Sequence, residues 1–197
     1  MKLTSFIVFA PAALAAATPG AAPQSGTSKP LRFSGMSIRP ASPIDSGSIN
    51  ANGGEFWIGK PTKTNCPKDT PAVADACKHA NNKQTIFDYL NAQPTLSLDV
   101  GVPGGQQVYV NKDTGRLRFT TAHSAHQDGT PEAKGFSIVH DAKFQFEKKD
   151  WIACPEGPKG TYSVYAAAYK KADKKCLGFT WNVIKLDDKV PSAWQYN

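Results

Sequence analysis

The chain has 197 residues, of which 23 are Lys or Arg and 16 are Asp or Glu, giving a formal net charge of +7 at pH 7. This length suits one domain with a real hydrophobic core and is too long for a miniprotein held together by disulfides alone. The basic residues are mostly lysines and lie in no recognised nucleic-acid-binding motif, so nucleic acid is not an expected partner. The lysine excess favours acidic polymers or anionic surfaces as partners, unless it serves only to keep the surface solvated.

The N-terminus has the pattern of a secretory signal peptide. Lys2 supplies a positive charge, residues 3–17 form a short apolar run, and the run ends in small residues. A membrane-spanning helix needs about 20 apolar residues, so we predict a signal peptide over residues 1–17 and a secreted chain without a transmembrane anchor. Residues 18–30 are rich in Ala, Pro, Ser, Gly and Thr. This composition predicts a flexible arm before a single folded domain at residues 31–197.

Short runs with the alternation of β-strands, separated by turn residues, fill the rest of the chain. The clearest hairpin has residues 107–110 and 116–120 on either side of an Asn-Lys-Asp-Thr-Gly turn. A second hairpin is predicted around Asn52, Gly53 and Gly54. The other predicted elements are strands at 31–38, 84–90, 96–100, 135–139, 143–146, 151–153, 162–168 and 177–183, and a short helix at 71–80. This pattern predicts an all-β, single-domain antiparallel β-barrel or β-sandwich with long loops, with a β-trefoil-like fold as the alternative.

The four cysteines are an even number in a chain predicted to be exported, which indicates two disulfides. Of the three possible pairings, we predict Cys66–Cys77 and Cys154–Cys176, because each encloses a local loop rich in Gly, Pro or Lys. Each closure is expected to stabilise the fold by about 3 kcal/mol. A zinc site would need paired short spacings such as C-x-x-C, which neither pair shows.

The sequence shows no complete enzyme active site. The G-x-S-x-G pentapeptide of many serine hydrolases is absent. His123 and His126 flank Ser124, but neighbours in sequence are not thereby a catalytic pair in space. We predict no catalytic residue, no cofactor and no metal site. The alternative is a small secreted hydrolase or nuclease that uses His123 and a carboxylate.

Aromatic and basic side chains are the candidate surface for binding. Trp194 and Tyr196 are predicted to be exposed, and flat rings of this kind can stack on the C–H face of a sugar. The remaining candidates are His123, Lys170, Lys171, Lys174 and Lys175.

Several blocks of the sequence are recognisable together. The densest is Val-Pro-Gly-Gly-Gln-Gln-Val-Tyr-Val at residues 102–110. The others lie at residues 35–39, 41–44, 56–59, 115–117, 122–125, 151–155, 161–167, 176–179 and 193–196. In their order and spacing these blocks resemble the fungal PhiA-like family of secreted cell-wall proteins. The lysine-rich stretches at 143–149 and 170–175 depart from the family pattern.

The resemblance implies a secreted protein without established enzymatic activity. The family contains phialide-associated cell-wall proteins, IgE-binding allergens and elicitors from plant-pathogenic fungi, and its cysteine positions support the two local disulfides. We therefore expect a non-enzymatic, cell-wall-associated protein that acts as an elicitor or effector and triggers plant defence and hypersensitive cell death. The expected partner is a fungal cell-wall polysaccharide or a plant apoplastic or plasma-membrane protein. A wall polysaccharide-binding structural protein without host signalling is the alternative.

Overall fold

The computed structural model describes residues 29–197. The predicted signal peptide and most of the predicted arm lie outside the described residues, so both stay predictions. In this part of the chain, no helix is long and apolar enough to cross a bilayer.

Residues 29–197 form fifteen strands and one helix, α1, at Pro71–His79. In chain order the strands are β1 Leu31–Ile38, β2 Ile49–Asn52, β3 Glu55–Ile58, β4 Thr64–Asn65, β5 Phe87–Leu90, β6 Thr95–Leu98, β7 Gln106–Asn111, β8 Leu117–Phe119, β9 Pro131–Glu132, β10 Phe136–Val139, β11 Lys143–Phe146, β12 Trp151–Pro155, β13 Tyr162–Ala166, β14 Leu177–Lys185 and β15 Gln195–Tyr196. The predicted strands and the predicted helix are all present. The three strands that were not predicted, β4, β9 and β15, have two residues each.

The strands pair antiparallel and their order closes on itself. The order runs β1–β5–β6–β7–β8–β3–β13–β12–β14, and β14 pairs again with β1. The closure is uneven, because β8 and β3 meet only through the pair Glu55 and Arg118. The result is sandwich-like, with β10 and β11 beyond β14, and β4 and β15 in a separate ribbon. The all-β prediction is confirmed, and the pairing order has no threefold repeat of the kind that the trefoil-like alternative requires.

Turn chemistry explains the tight hairpins. Gly53 and Gly54 link β2 to β3 with φ angles of +70° and +77°. Positive φ at both central residues gives a two-residue turn whose twist matches that of the strands, and glycine adopts this conformation at little cost. The β7–β8 hairpin is fixed differently, since the Asn111 side chain accepts hydrogen bonds from the backbone N–H groups of Asp113 and Thr114. Both turns were predicted from sequence.

Aromatic side chains fill the interior enclosed by the strands. Trp151 and Trp181 are fully buried, and their ring centres lie 5.0 Å apart. Phe144 stacks nearly parallel to Trp151 and meets Trp181 edge-on. The Trp151 Nε1–H donates a 2.8 Å hydrogen bond to the Phe144 carbonyl, which satisfies its polar atom in the core.

Both predicted disulfides are present. Cys66–Cys77 ties the chain beside β4 to α1, a helix with no buried residue. Cys154–Cys176 joins β12 to the residue before β14. Cys154 is 5% exposed and packs in a small cluster with Ile152 and Tyr165, so this second bridge is part of the packed structure.

Candidate functional site

Tyr196 is not at the surface, and the prediction that it is exposed is wrong. Its side chain is 1% exposed because β15 folds back against β4 at the end of the chain. The hydroxyl donates to the Gln84 carbonyl and accepts the Ile86 N–H, while the Tyr196 backbone N–H donates to the Gln106 side chain. Burial raises the pKa of this phenol. Tyr196 therefore closes the fold and is unable to stack on a sugar.

Trp194 remains partly accessible. Its ring lies against the backbone of Gly101 and lines an apolar depression of about 310 Å³ beside α1. The predicted pair of exposed aromatic rings is thus reduced to one. Its role as a binding residue stays a prediction.

His123 lies exposed on the loop after β8, with a φ angle of +59°. Neither of its ring nitrogens is hydrogen-bonded within the described chain. His126 instead pairs with Asp128 at 3.0 Å, and Ser124 Oγ accepts the backbone N–H of His126 rather than facing a ring nitrogen. Although Ser124 lies close to both histidines in sequence, its hydroxyl is not paired with either imidazole as a nucleophile is with its base. The prediction that the protein is not an enzyme stays a prediction.

Metal ligands are also dispersed in this part of the chain. Residues 29–197 contain no group of three or more His, Cys, Asp or Glu side chains placed to hold a metal ion. All four cysteines are in disulfides.

The turn after β11 and the loop between β13 and β14 are joined by hydrogen bonds, and we call the six lysines of these two segments the lysine rim. Its members are Lys148, Lys149, Lys170, Lys171, Lys174 and Lys175. The segments are held together by the Ala167 N–H, which donates to the Asp150 carbonyl, and by the Tyr169 hydroxyl, which donates to Glu147 at 2.5 Å. The fold thus brings together candidate residues that are about 20 positions apart in sequence.

The carboxylates near the lysine rim already have ion-pair or hydrogen-bond partners other than the ammonium groups of the rim lysines. Asp150 pairs with Lys143 at 2.8 Å, and Asp173 accepts the backbone N–H groups of Lys175 and Cys176. No rim lysine forms an ion pair within residues 29–197, and all except the half-buried Lys170 are exposed. The rim therefore presents a concentrated positive charge to solvent.

Arg116, directly before β8, organises a polar cluster that sequence reasoning missed. Its guanidinium pairs with Glu55 at 2.6 Å and with Glu156, and it donates to the Tyr165 hydroxyl. Burial and a hydrogen bond to Glu156 raise the pKa of Tyr165. The Lys170 ammonium lies 5.1 Å from the centre of the Tyr165 ring, so the cluster adjoins the lysine rim.

Three open depressions follow the outer face of the β7–β8 hairpin, and we call them together the β7–β8 groove. Their volumes are about 580, 400 and 500 Å³. Gln107, Tyr109 and Asn111 line the first, second and third in turn. The first and second share Ser124, and the second and third share Arg118, so the three are contiguous.

Strand alternation explains this polar face. Successive side chains on a strand point to opposite sides, so residues 107, 109 and 111 of β7 lie together on the side away from the core. Of the three, Gln107 is half-exposed, whereas Tyr109 and Asn111 are buried beneath the loop after β8, where both hydrogen-bond to Asp128. Val108 and Val110 face the core with Leu117 and Phe119 of β8.

Comparison with known proteins identifies a family of secreted proteins. The profile of the family described as "PhiA-like secreted protein" matches residues 33–197, which is nearly the whole described chain. The chain belongs to this family. The resemblance inferred from the sequence blocks is confirmed.

Three relatives extend the comparison. The chain is 33% identical over 165 residues to an uncharacterized secreted protein of Arthroderma benhamiae, covering 78% of this chain and 79% of the relative. It is 27% identical over 200 residues to cell wall protein phiA of Emericella nidulans, covering 98% and 99%. It is 30% identical over 158 residues to cell wall protein phiA of Aspergillus niger, covering 78% of each. No solved structure gives a significant match.

Proposed function

We propose that this secreted protein is a non-catalytic component of the fungal cell wall, held there by the lysine rim. Two relatives that align with most of the chain are named cell wall proteins, which supports wall association. The observation that carries the proposal is a set of lysines, gathered from two neighbouring segments, that form no ion pair within residues 29–197. Exposed ammonium groups that are not held in an ion pair are free to bind the acidic polymers of a wall.

Replacing Lys171, Lys174 and Lys175 with glutamine is expected to weaken retention on purified fungal walls about tenfold at low salt. Each exposed ion pair contributes about 0.5 kcal/mol, so three lost pairs amount to roughly that factor. The measurement is the fraction of protein that co-sediments with walls across a titration of NaCl. Wild-type retention should fall as salt screens the charges.

The matched control removes the same charge elsewhere. Lys63, Lys68 and Lys83 are exposed lysines outside the lysine rim, and their triple glutamine variant should retain most of the binding. Equal losses in the two triple variants would show that only net charge matters and would contradict a role for the rim.

We further propose that protein released near plant tissue acts as an elicitor of defence and hypersensitive cell death. The support is the sequence resemblance to a family that contains such elicitors, together with a disulfide-bonded fold that exposes the lysine rim. Infiltration of the folded protein into leaves at micromolar dose is expected to produce an oxidative burst and necrosis. A folded preparation, verified by its thermal unfolding transition, that produces neither response would rule the elicitor activity out and leave a wall protein without host signalling.

A further inference from the structure

We propose that the β7–β8 groove binds an extended, neutral polysaccharide chain. This inference rests on the proposed function for the source of its ligand and assigns the specific contact to a surface that shares only Lys170 with the lysine rim. The groove follows β7 for four residue steps, about 13 Å at strand spacing, and continues onto the loops at both ends. Tyr109 and Asn111 are 2% and 6% exposed, so the accessible walls of the groove come from Gln107, Arg118 and the loop after β8. An elongated depression with walls of this kind suits a polymer that extends past both ends better than an enclosed small molecule.

The charges that line the groove balance one another. Its cationic side chains are Arg116, Arg118 and Lys170, and its acidic side chains are Glu55, Asp113 and Asp128. Arg116 pairs with Glu55 at 2.6 Å, and Arg118 pairs with Asp128 at 2.8 Å. In a chain of net charge +7 this is a locally neutral surface. A polyanion such as nucleic acid requires an excess of cations, which the groove lacks.

The lining also argues against a peptide or an apolar ligand. A peptide added as an extra strand needs a free sheet edge, but β7 pairs with β6, β9 and β8, and β8 pairs with β7 and β3. Amide, hydroxyl, carboxylate and guanidinium groups share the walls about equally with apolar surface, whereas apolar side chains dominate most small-molecule pockets. A polymer rich in hydroxyl groups can hydrogen-bond to all of these polar groups, because each hydroxyl is both a donor and an acceptor.

Arg118 lies at the middle of the groove, and some of its N–H donors have no acceptor within the described residues. A guanidinium has five N–H groups, and within the described residues Arg118 contacts one carboxylate, that of Asp128. Its Nε atom is buried with no acceptor in residues 29–197. That atom is out of reach of a ligand, but the Arg118 side chain as a whole is 28% exposed. Hydroxyl groups of a bound sugar can therefore accept from its accessible terminal N–H groups.

The test is isothermal titration of the folded protein with two neutral probes, a β-1,3-glucan hexasaccharide and an N-acetylchitohexaose, at about 0.1 M and 1 M NaCl. We expect one of the two to bind, with an affinity that changes by less than about twofold between the two salt concentrations, because no net charge is involved. The probe that binds distinguishes a glucan from a chitin ligand. Failure of both to bind the wild-type protein would overturn the proposal.

Two variants locate the site. Ser124→Trp places an indole where the first and second depressions meet, and Arg118→Gln removes the central guanidinium; each is expected to weaken binding about tenfold or more. Ser48→Trp makes the same substitution at an exposed serine outside the groove and should bind as the wild type does. Unchanged binding in Ser124→Trp and Arg118→Gln, with thermal unfolding showing that each is folded, would place the ligand elsewhere and refute the assignment.

The two proposals fail separately. The Lys171, Lys174 and Lys175 glutamine variant should lose salt-sensitive wall retention and keep hexasaccharide binding. The Ser124→Trp variant should keep salt-sensitive wall retention and lose hexasaccharide binding. A rim variant that loses hexasaccharide binding as well would contradict the assignment of the ligand to the groove.

Discussion

Replacing Trp181 with alanine is expected to lower the free energy of unfolding by about 3–5 kcal/mol. Trp181 is fully buried on β14, and its ring packs against the rings of Trp151, Phe144 and Phe87. Deleting the indole loses the free energy gained by transferring its apolar surface from water to the core. It also leaves a cavity, which the surrounding strands can fill only in part because their pairing order is closed. For a domain of this size the melting temperature should fall by roughly 8–15 °C, measured by calorimetry.

Two further variants test the cause of this loss. Ile184→Ala alters an exposed residue of the same strand and should change stability by less than about 0.5 kcal/mol. Trp181→Phe should cost much less than Trp181→Ala, because the Trp181 Nε1 atom has no acceptor in the described chain and no hydrogen bond is lost. A loss below about 1.5 kcal/mol for Trp181→Ala would mean that the core repacks around the gap.

The two disulfides are expected to differ in their effect on global stability. Replacing Cys154 and Cys176 with alanine should cost about 3 kcal/mol, because the bridge closes a loop between β12 and β14 and Cys154 is buried. Replacing Cys66 and Cys77 should cost less than about 1 kcal/mol in the global transition, well below the roughly 3 kcal/mol expected from loop closure alone. α1 has no buried residue, so it can unfold locally without opening the core.

Urea unfolding of the two double-alanine variants, with the wild type as reference, measures the difference. Hydrogen exchange should show α1 exposed in the Cys66 and Cys77 variant while the core strands stay protected. Equal losses of stability would contradict this view and would assign α1 a structural role that its exposure does not indicate.

The strand predictions succeeded where alternation and turn residues agreed. β1 and β11 match their predicted bounds, because each has apolar and polar residues in alternation between clear turn signals. The strand predicted at residues 84–90 begins later, at Phe87. Its first residues are bound instead to the Tyr196 hydroxyl, a partner more than 100 positions away that no local pattern reveals.

The turn that carries Lys148 shows the limit of local turn signals. Glu147 and Lys148 adopt φ angles of +47° and +59°, a conformation in which glycine or asparagine is usual. Nothing in the residue types marks this turn as tight. The turn is closed by two backbone hydrogen bonds between Phe146 and Lys149, and β11 and β12 on either side of it each pair with β14. It places two lysines beside the loop that precedes Cys176.

By itself the sequence determined the secreted class, the all-β architecture, both disulfides and the family, because these depend on local composition, alternation and the order of short blocks. Only the tertiary structure decided which polar residues meet. Tyr196 was predicted at the surface and lies in the core, because β15 returns to β4. Arg116 and Glu55 lie 61 positions apart and form one ion pair. The lysine rim and the β7–β8 groove depend on such long-range pairings, which alternation along a single strand does not encode.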